Sequence, residues 1–361
     1  MYRAHKIRIY PNLEQEEILR KDVGGVRFVY NWVLEHWKQW LLDKKNGVRK
    51  YSPNWLKLYH LWMENRPEWA KTIPSGATFY AIKDVNTAYT NHFKHGKGWP
   101  KFKKKGVSRD AFRETYQRCW IRDDNKHIHI NGIKRDIRMA EPLRYQGKIV
   151  SYCVSCLSGK WYVSVKVEVD DSRSAPKSIC GVDVGMKTPA ICSDGTTLKL
   201  PTEKLKKLDR RLRLSQRRWS RSQKDSNRRR KALVRSQRIQ ARINNLRRDA
   251  VHKFTSTVCK NHATVVIEDL YAAGMHHGPR NVRKGMQRSC MSEVLQQIGY
   301  KALNCVKADR WYPSSQLCSS CGSRQKLKLT DRVYTCPHCG KSFDRDLNAA
   351  INLSKYPGSQ G

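Results

Sequence analysis

Negative charge is what this chain has least of. Its 361 residues carry 31 Asp and Glu against 72 Lys and Arg, a formal net charge of +41. A surplus of that size repels itself unless a polyanion neutralises it, so composition points to nucleic acid as the partner class. Long apolar runs are missing as well. No stretch reaches the ~20 apolar residues of a membrane span, and no membrane partner is expected. The opening Met1-Tyr2-Arg3-Ala4-His5-Lys6 lacks the apolar segment of a secretion signal, which predicts an intracellular, cytoplasmic location. No internal repeat is visible. Cysteine, by contrast, is plentiful at 12 residues. In a reducing compartment that number argues against a disulfide framework and for metal binding by the cysteines with ligand spacing.

Scarce as they are, carboxylates stand at three informative places. Gly181-Val182-Asp183-Val184-Gly185 and Val265-Val266-Ile267-Glu268-Asp269-Leu270 each put an acid at the end of an apolar, strand-like run. Asp344-Arg345-Asp346-Leu347-Asn348-Ala349-Ala350 puts another at what reads as a helix start. Separated acids brought together are what two-metal phosphodiester hydrolysis requires, with ions about 4 Å apart. Hard oxygen ligands suit Mg²⁺ or Mn²⁺ rather than zinc. Asp269 and Asp344 compete for the assignment. Alternation from Val266 favours Glu268, and direct entry into the Leu347–Ala350 helix favours Asp346. The candidate set is therefore Asp183, Glu268 and Asp346.

Cys318-x₂-Cys321 and Cys336-x₂-Cys339 have the spacing of a Cys₄ zinc ribbon, with Gly322 and Gly340 supplying turns. Four thiolates leave no open coordination position, so this zinc is expected to be structural. Cys153-Val154-Ser155-Cys156 sits in an alternating strand, where positions i and i+3 face opposite ways, and reads as structural. So do the isolated Cys119, Cys180, Cys192, Cys259, Cys290 and Cys305.

Periodicity divides the rest. A strand over 1–10 precedes a mostly helical section over 11–105, where Gly24-Gly25 predicts a break between two helices. Short strands at Cys119–Ile121, His127–Ile130, Lys148–Ser155 and Trp161–Val169 predict a small barrel that the N-terminal strand completes. After the Ser172–Pro176 linker come a strand over Ile179–Gly185, a hairpin around Asp194-Gly195, and two long antiparallel basic helices over 201–262 that break near Ser222–Asn227. A strand over 264–268, a loop-rich 272–288, a helix over 291–307, the cysteine module over 315–342, a helix over 346–354 and a disordered tail from Tyr356 follow. Trp311 and Tyr312 could stack on bases, but core packing is the expectation.

The motifs resemble the TnpB family of transposon-encoded RNA-guided nucleases, and the match covers nearly the whole chain. Lys6–Glu16, Arg27–Trp32, Trp99-Pro100-Lys101-Phe102-Lys103, Tyr312–Cys318 and Asp344–Asn348 carry it. The resemblance implies an α/β multi-domain protein with an RNase H-like (RuvC) core and an inserted zinc ribbon. A wedge β-barrel over 1–10 and 106–172 would be interrupted by a helical recognition lobe over 11–105. The nuclease would occupy 173–314 and 343–361, and the ribbon 315–342. Asp183, Glu268 and Asp346 fall on the family's catalytic positions. A transposon-end guide RNA would direct cleavage of double-stranded DNA beside a short motif, by a monomer bound to one RNA acting at the prokaryotic nucleoid. Tyr51, Ser75, Thr78 and Phe79 fall near positions that touch duplex in the family, while Tyr51 and Phe79 also suit ordinary helix packing. Phe343 stands where the family usually has His, and Met286-Gln287-Arg288-Ser289-Cys290 replaces an acidic pattern expected over the site. A guided DNA-binding regulator without catalysis, or an unguided transposase- or resolvase-like nuclease, remains an alternative.

Overall fold

The N-terminal strand is the middle of a sheet, not its edge. In the computed structural model, which describes residues 1–171, 174–270, 285, 289–328 and 331–359, the chain forms two units, Met1–Asp171 and Ser172–Gly361. The first runs β1 (Tyr2–Tyr10), α1 (Leu13–Lys45), α2 (Trp55–Asn65), α3 (Ser75–His95), β2 (Asp110–Thr115), β3 (Cys119–Ile121), β4 (His127–Ile130), β5 (Ile137–Met139), β6 (Lys148–Leu157) and β7 (Lys160–Glu168). Its sheet has the order β2-β6-β7-β1-β5-β4-β3, with every pair antiparallel. The expected small barrel is thus a barrel-like sheet with β2 and β3 as its edges. Residues 11–105 contribute three α-helices and a short 3-10 helix, Glu68–Thr72, between β1 and β2.

The predicted break at Gly24-Gly25 does not occur. α1 is one helix of 33 residues. Two glycines cost about 1 kcal/mol each in a helix, but a buried stripe of Leu19, Val23, Val26, Val29, Val33, Leu34 and Trp37 offsets this. The Asn12–Gln15 capping box secures the start. Gly25 serves approach rather than breakage: a Cβ there would stand 2.6 Å from Ile73 Cγ1.

The second unit runs β8 (Ile179–Asp183), β9 (Ile191–Cys192), α4 (Thr202–Arg221), α5 (Asn227–Asn261), β10 (Thr264–Glu268), α6 (Met291–Lys301), β11 (Asn304–Ala308), β12 (Val333–Thr335), β13 (Ser342–Asp344) and α7 (Arg345–Ser354). Its main sheet has the order β11-β10-β8-β9, the first three parallel and β9 antiparallel. The helix expected over 291–307 stops at Lys301, because Asn304–Ala308 pairs residue for residue with Thr264–Glu268 and widens the sheet. The loop expected over 272–288 lies outside the described residues except for Gly285. The tail is not wholly irregular either: Tyr356 packs edge-on against Tyr312 at 5.0 Å.

Strand alternation gives this sheet two different faces. Cys180, Val182, Val265 and Ile267 pack with Val251, Phe254 and Val258 of α5 and Val294 and Ile298 of α6. Val266 and Ala308 pack with Leu353 of α7 on the other. The basic helices close on each other through Leu205, Leu208, Ile239 and Ile243. A buried Ser236–Ser215 hydrogen bond of 2.9 Å adds to that seam, and most of their Arg and Lys side chains stay exposed.

Candidate active site

Two of the three candidate carboxylates end neighbouring parallel strands. β8 closes on Asp183 and β10 on Glu268, and the strands pair from Ile179↔Thr264 to Val182↔Ile267. Asp183 shares its face with Gly181 and Glu268 with Val266, the face that α7 covers. Asp346 rides in the first turn of α7. All three are half-buried. Burial first, then the Glu268 and Asp346 carboxylates, push the Asp183 carboxyl up to about 8, with the Arg345 guanidinium pulling the other way. Asp183 therefore senses both other acids, although the three sets of oxygens are not gathered within 4.8 Å as the Cys₄ group is.

The Asp344–Ala350 run can be read residue by residue. Asp344 caps α7, accepting from the Asp346 and Leu347 amides at 3.0 Å each. This separates the two competing aspartates: Asp344 holds the helix start, and the Asp346 side chain, 3.9 Å from Arg332 Nη1, takes no part in the cap. Asn348 is fully buried and donates to Leu317 O at 2.7 Å while accepting from Ser319 N at 2.9 Å. Asn352, one turn later, donates to Ser314 O and Leu317 O. The helix is thereby latched to the backbone beside Cys318. Gly181 has the complementary role, since a Cβ there would collide with the Ala350 carbonyl and Leu353.

Glu268 has a partner that sequence reasoning missed. Buried Ser314 donates to Glu268 Oε1 at 2.6 Å. The Tyr312–Cys318 segment carried the family resemblance, but nothing in its spacing reveals a bond to a strand 46 residues upstream. Arg345 was likewise unassigned; its Nη1 is held by Lys328 O at 3.0 Å. The donors are hard oxygens with a repulsive surplus of negative charge, which fits a divalent cation of the Mg²⁺ or Mn²⁺ class.

The cysteine module folds as two matched knuckles. Gly322 N donates to Cys318 O and Gly340 N to Cys336 O, at 2.9 and 3.0 Å. Both glycines adopt positive φ, +76° and +68°. Cys318 Sγ lies 3.7 Å from Cys339 Sγ, and Cys321 Sγ lies 3.6 Å from Cys336 Sγ. A tetrahedron with metal–sulfur bonds of about 2.3 Å has edges of about 3.8 Å, so the donor set fits zinc. Phe343 packs into the core of this module with Tyr334.

The four candidate DNA-contact residues differ in access. Tyr51 and Ser75 are exposed, and Phe79 is half-buried against Trp55 and Tyr59. Thr78 is 4% exposed and faces the core of its own unit. Trp311, expected in a core, is 84% exposed. It lines an open cleft of about 440 Å³ with Asp269, Lys307, Ala308, Asp309 and Arg310 at the ends of β10 and β11. Tyr312 does pack inward.

A family model described as "Probable transposase" matches residues 162–277, and one described as "Cas12f1-like, TNB domain" matches 292–353. A third, "Helix-turn-helix domain", matches 1–45, a segment that here holds β1 and the single helix α1. The chain is 33% identical over 375 residues to a protein of Escherichia coli strain K12 provisionally named RNA-guided DNA endonuclease InsQ, covering 97% of this chain and 91% of that one. It is 32% identical to a Streptomyces pristinaespiralis protein provisionally named RNA-guided DNA endonuclease, over 97% and 88% of the two chains. TnpB-like protein L79 of Acanthamoeba polyphaga mimivirus is 21% identical over 98% of this chain and 72% of its own. In fold the chain is similar to the protein of a solved Cas12f1–sgRNA–target DNA complex, with a TM-score of 0.58 over 98% of both chains at 12% identity. With one relative a third identical along nearly its whole length, the chain belongs to the TnpB family.

Proposed function

We propose that this protein is an RNA-guided DNA endonuclease that hydrolyses phosphodiester bonds at Asp183, Glu268 and Asp346. The observation that carries the reading is that Asp183 and Glu268 end neighbouring parallel strands on the sheet face covered by α7, whose first turn carries Asp346. In this reading residues 173–314 and 343–361 form a RuvC-like core and 315–342 a zinc ribbon. Residues 1–10 and 106–172 form a wedge, and 11–105 a recognition lobe in which exposed Tyr51 and Ser75 are the first candidates for duplex contact. The names of the bacterial relatives and the nucleic acids in the Cas12f1 complex support a guide RNA and target double-stranded DNA as partners. A charge of +41 supplies the affinity for both.

Mg²⁺ or Mn²⁺ held by the carboxylates would activate the attacking water and offset charge on the leaving oxygen. The chain's own residues set the geometry. Ser314 fixes Glu268, while Asp344 and Asn348 fix the helix that carries Asp346. Zinc at Cys318, Cys321, Cys336 and Cys339 would hold the segment that Asn348 and Asn352 grip.

Reconstitution with the RNA that co-purifies from expression with the native downstream flank tests the reading. Cleavage of a matched duplex that needs both the guide and Mg²⁺ is expected. Guide-dependent binding without cleavage would make the protein a regulator, and cleavage without guide would make it an unguided nuclease.

A further inference from the structure

Cys180, Cys192 and His262 look isolated in the sequence, yet their donor atoms lie within 4.8 Å of one another. Cys180 lies in β8, Cys192 in β9, and His262 immediately follows α5. Both thiols are fully buried, on the sheet face that α5 covers and opposite the face of the carboxylates. Antiparallel pairing of β8 with β9 puts Cys192 across from Val182, so Cys180 and Cys192 are diagonal neighbours on that face.

The hydrogen bonds around His262 define which ring nitrogen is available. Ser178 Oγ lies 3.0 Å from Asn261 O, 3.5 Å from Pro176 O and 3.0 Å from His262 Nδ1. A hydroxyl has one hydrogen, and carbonyl oxygens only accept. With the Ser178 hydroxyl donating to Asn261 O, Nδ1–H of His262 donates to Ser178. That leaves Nε2 pointing at Asp194 Oδ2, 3.1 Å away. In that arrangement a proton on Nε2 or a metal ion between the two atoms completes the contact. A proton accounts for His262 and Asp194 alone. It does not account for two buried thiols meeting at the same point, with Cys192 in hydrogen-bonding reach of the Asp194 carboxylate.

We propose that Cys180, Cys192 and His262 form a second metal site, for a zinc-class ion, with Asp194 beside it against the His262 ring. Two sulfurs and one imidazole nitrogen are three of the four ligands zinc takes, with the fourth position left to water or to the neighbouring Asp194 carboxylate. Ser178 plays the outer partner that fixes the ring of a metal-bound histidine, and the Thr196 amide holds Asp194 Oδ1 at 2.7 Å. The side chains of His262 and Asp194 are 14% and 29% exposed, which gives an ion its way in. A metal here would clip the end of α5, and with it the basic helix pair, to the β8–β9 edge.

The test is zinc content of the full chain, purified with its RNA and exposed to excess Zn²⁺ before desalting. About two zinc ions per chain are expected, falling to about one in His262→Gln, in Cys192→Ser and, through the ribbon, in Cys321→Ser. Co²⁺ exchanged into Cys321→Ser should give a thiolate charge-transfer band that the double variant with His262→Gln lacks. His262→Gln alters a surface-side residue and keeps the test sound if Cys192→Ser does not fold. About one zinc per chain in the natural protein, lost in Cys321→Ser and untouched by His262→Gln, would overturn the proposal and leave a His262–Asp194 ion pair.

Discussion

A pair and a trio of acids in this chain each hold a carboxyl raised by burial and by acidic neighbours, and they differ in access. Asp22 of α1 and Glu114 of β2 are 7% and 1% exposed. Asp22 is pushed up to about 7, by burial and then by Glu114, and Glu114 is itself raised by burial. Asp22 Oδ2 and Glu114 Oε2 find no hydrogen-bond partner, and Glu114 presses so closely on Gly76 that a Cβ there would collide with it. Asp183 reaches a similar value, but in company with Glu268 and Asp346, half-buried at strand ends and a helix start. A perturbed carboxyl alone does not mark a site. Access separates the two groups: Asp22 and Glu114 are sealed, whereas the proposed site keeps the partial exposure that a cation and a substrate need.

The comparison breaks most sharply at the open group. Asp346→Asn should cut guided cleavage by at least ~10³-fold, while Asp22→Asn leaves it within about twofold, measured on the same matched duplex. Equal losses from both would mean that the pair and the trio are not distinct in role.

The sealed pair should show itself in stability instead. A folded pKa near 7 against an unfolded 3.8 means that the folded state holds the proton more tightly. Its stability contribution is intact below about pH 4, fades as pH rises through 7, and is gone above that. Asp22→Asn should therefore flatten the melting temperature against pH and stabilise the protein at pH 8, by up to about 4 kcal/mol. An unchanged slope across that range would remove Asp22 from the explanation.

Two substitutions sharpen the open group by touching its supports. Asn348→Ala leaves the backbone at Leu317 and Ser319 without its partners and should cost about 2–3 kcal/mol in unfolding, with a loss of cleavage. Ser314→Ala frees Glu268 from one hydrogen bond and should slow cleavage about 10-fold while raising the Mg²⁺ needed for half-maximal rate. A change in rate without a change in Mg²⁺ requirement would place Ser314 outside the site.

What sequence could carry and what it could not follows from the range of each interaction. β10 and the break between α4 and α5 were legible because alternation and a polar interruption are local signals. Gly24-Gly25 misled because the feature that justifies Gly25 is Ile73, a tertiary neighbour. Asn304–Ala308 read as helix because a short apolar run becomes a strand only where β10 offers an edge. In the site, the acids stood out by type and position, whereas Ser314 and Asn348 act through contacts made after folding. Cys180, Cys192 and His262 had no ligand spacing to betray them, since three separate elements bring them together.

The most direct measurement is guided cleavage by the natural protein and by Asp183→Ala, each loaded with the same RNA, with target binding measured in parallel. Asp183→Ala should bind the matched duplex as tightly as the natural protein and leave it uncut in Mg²⁺. Undiminished cutting by Asp183→Ala would contradict the assignment of the site.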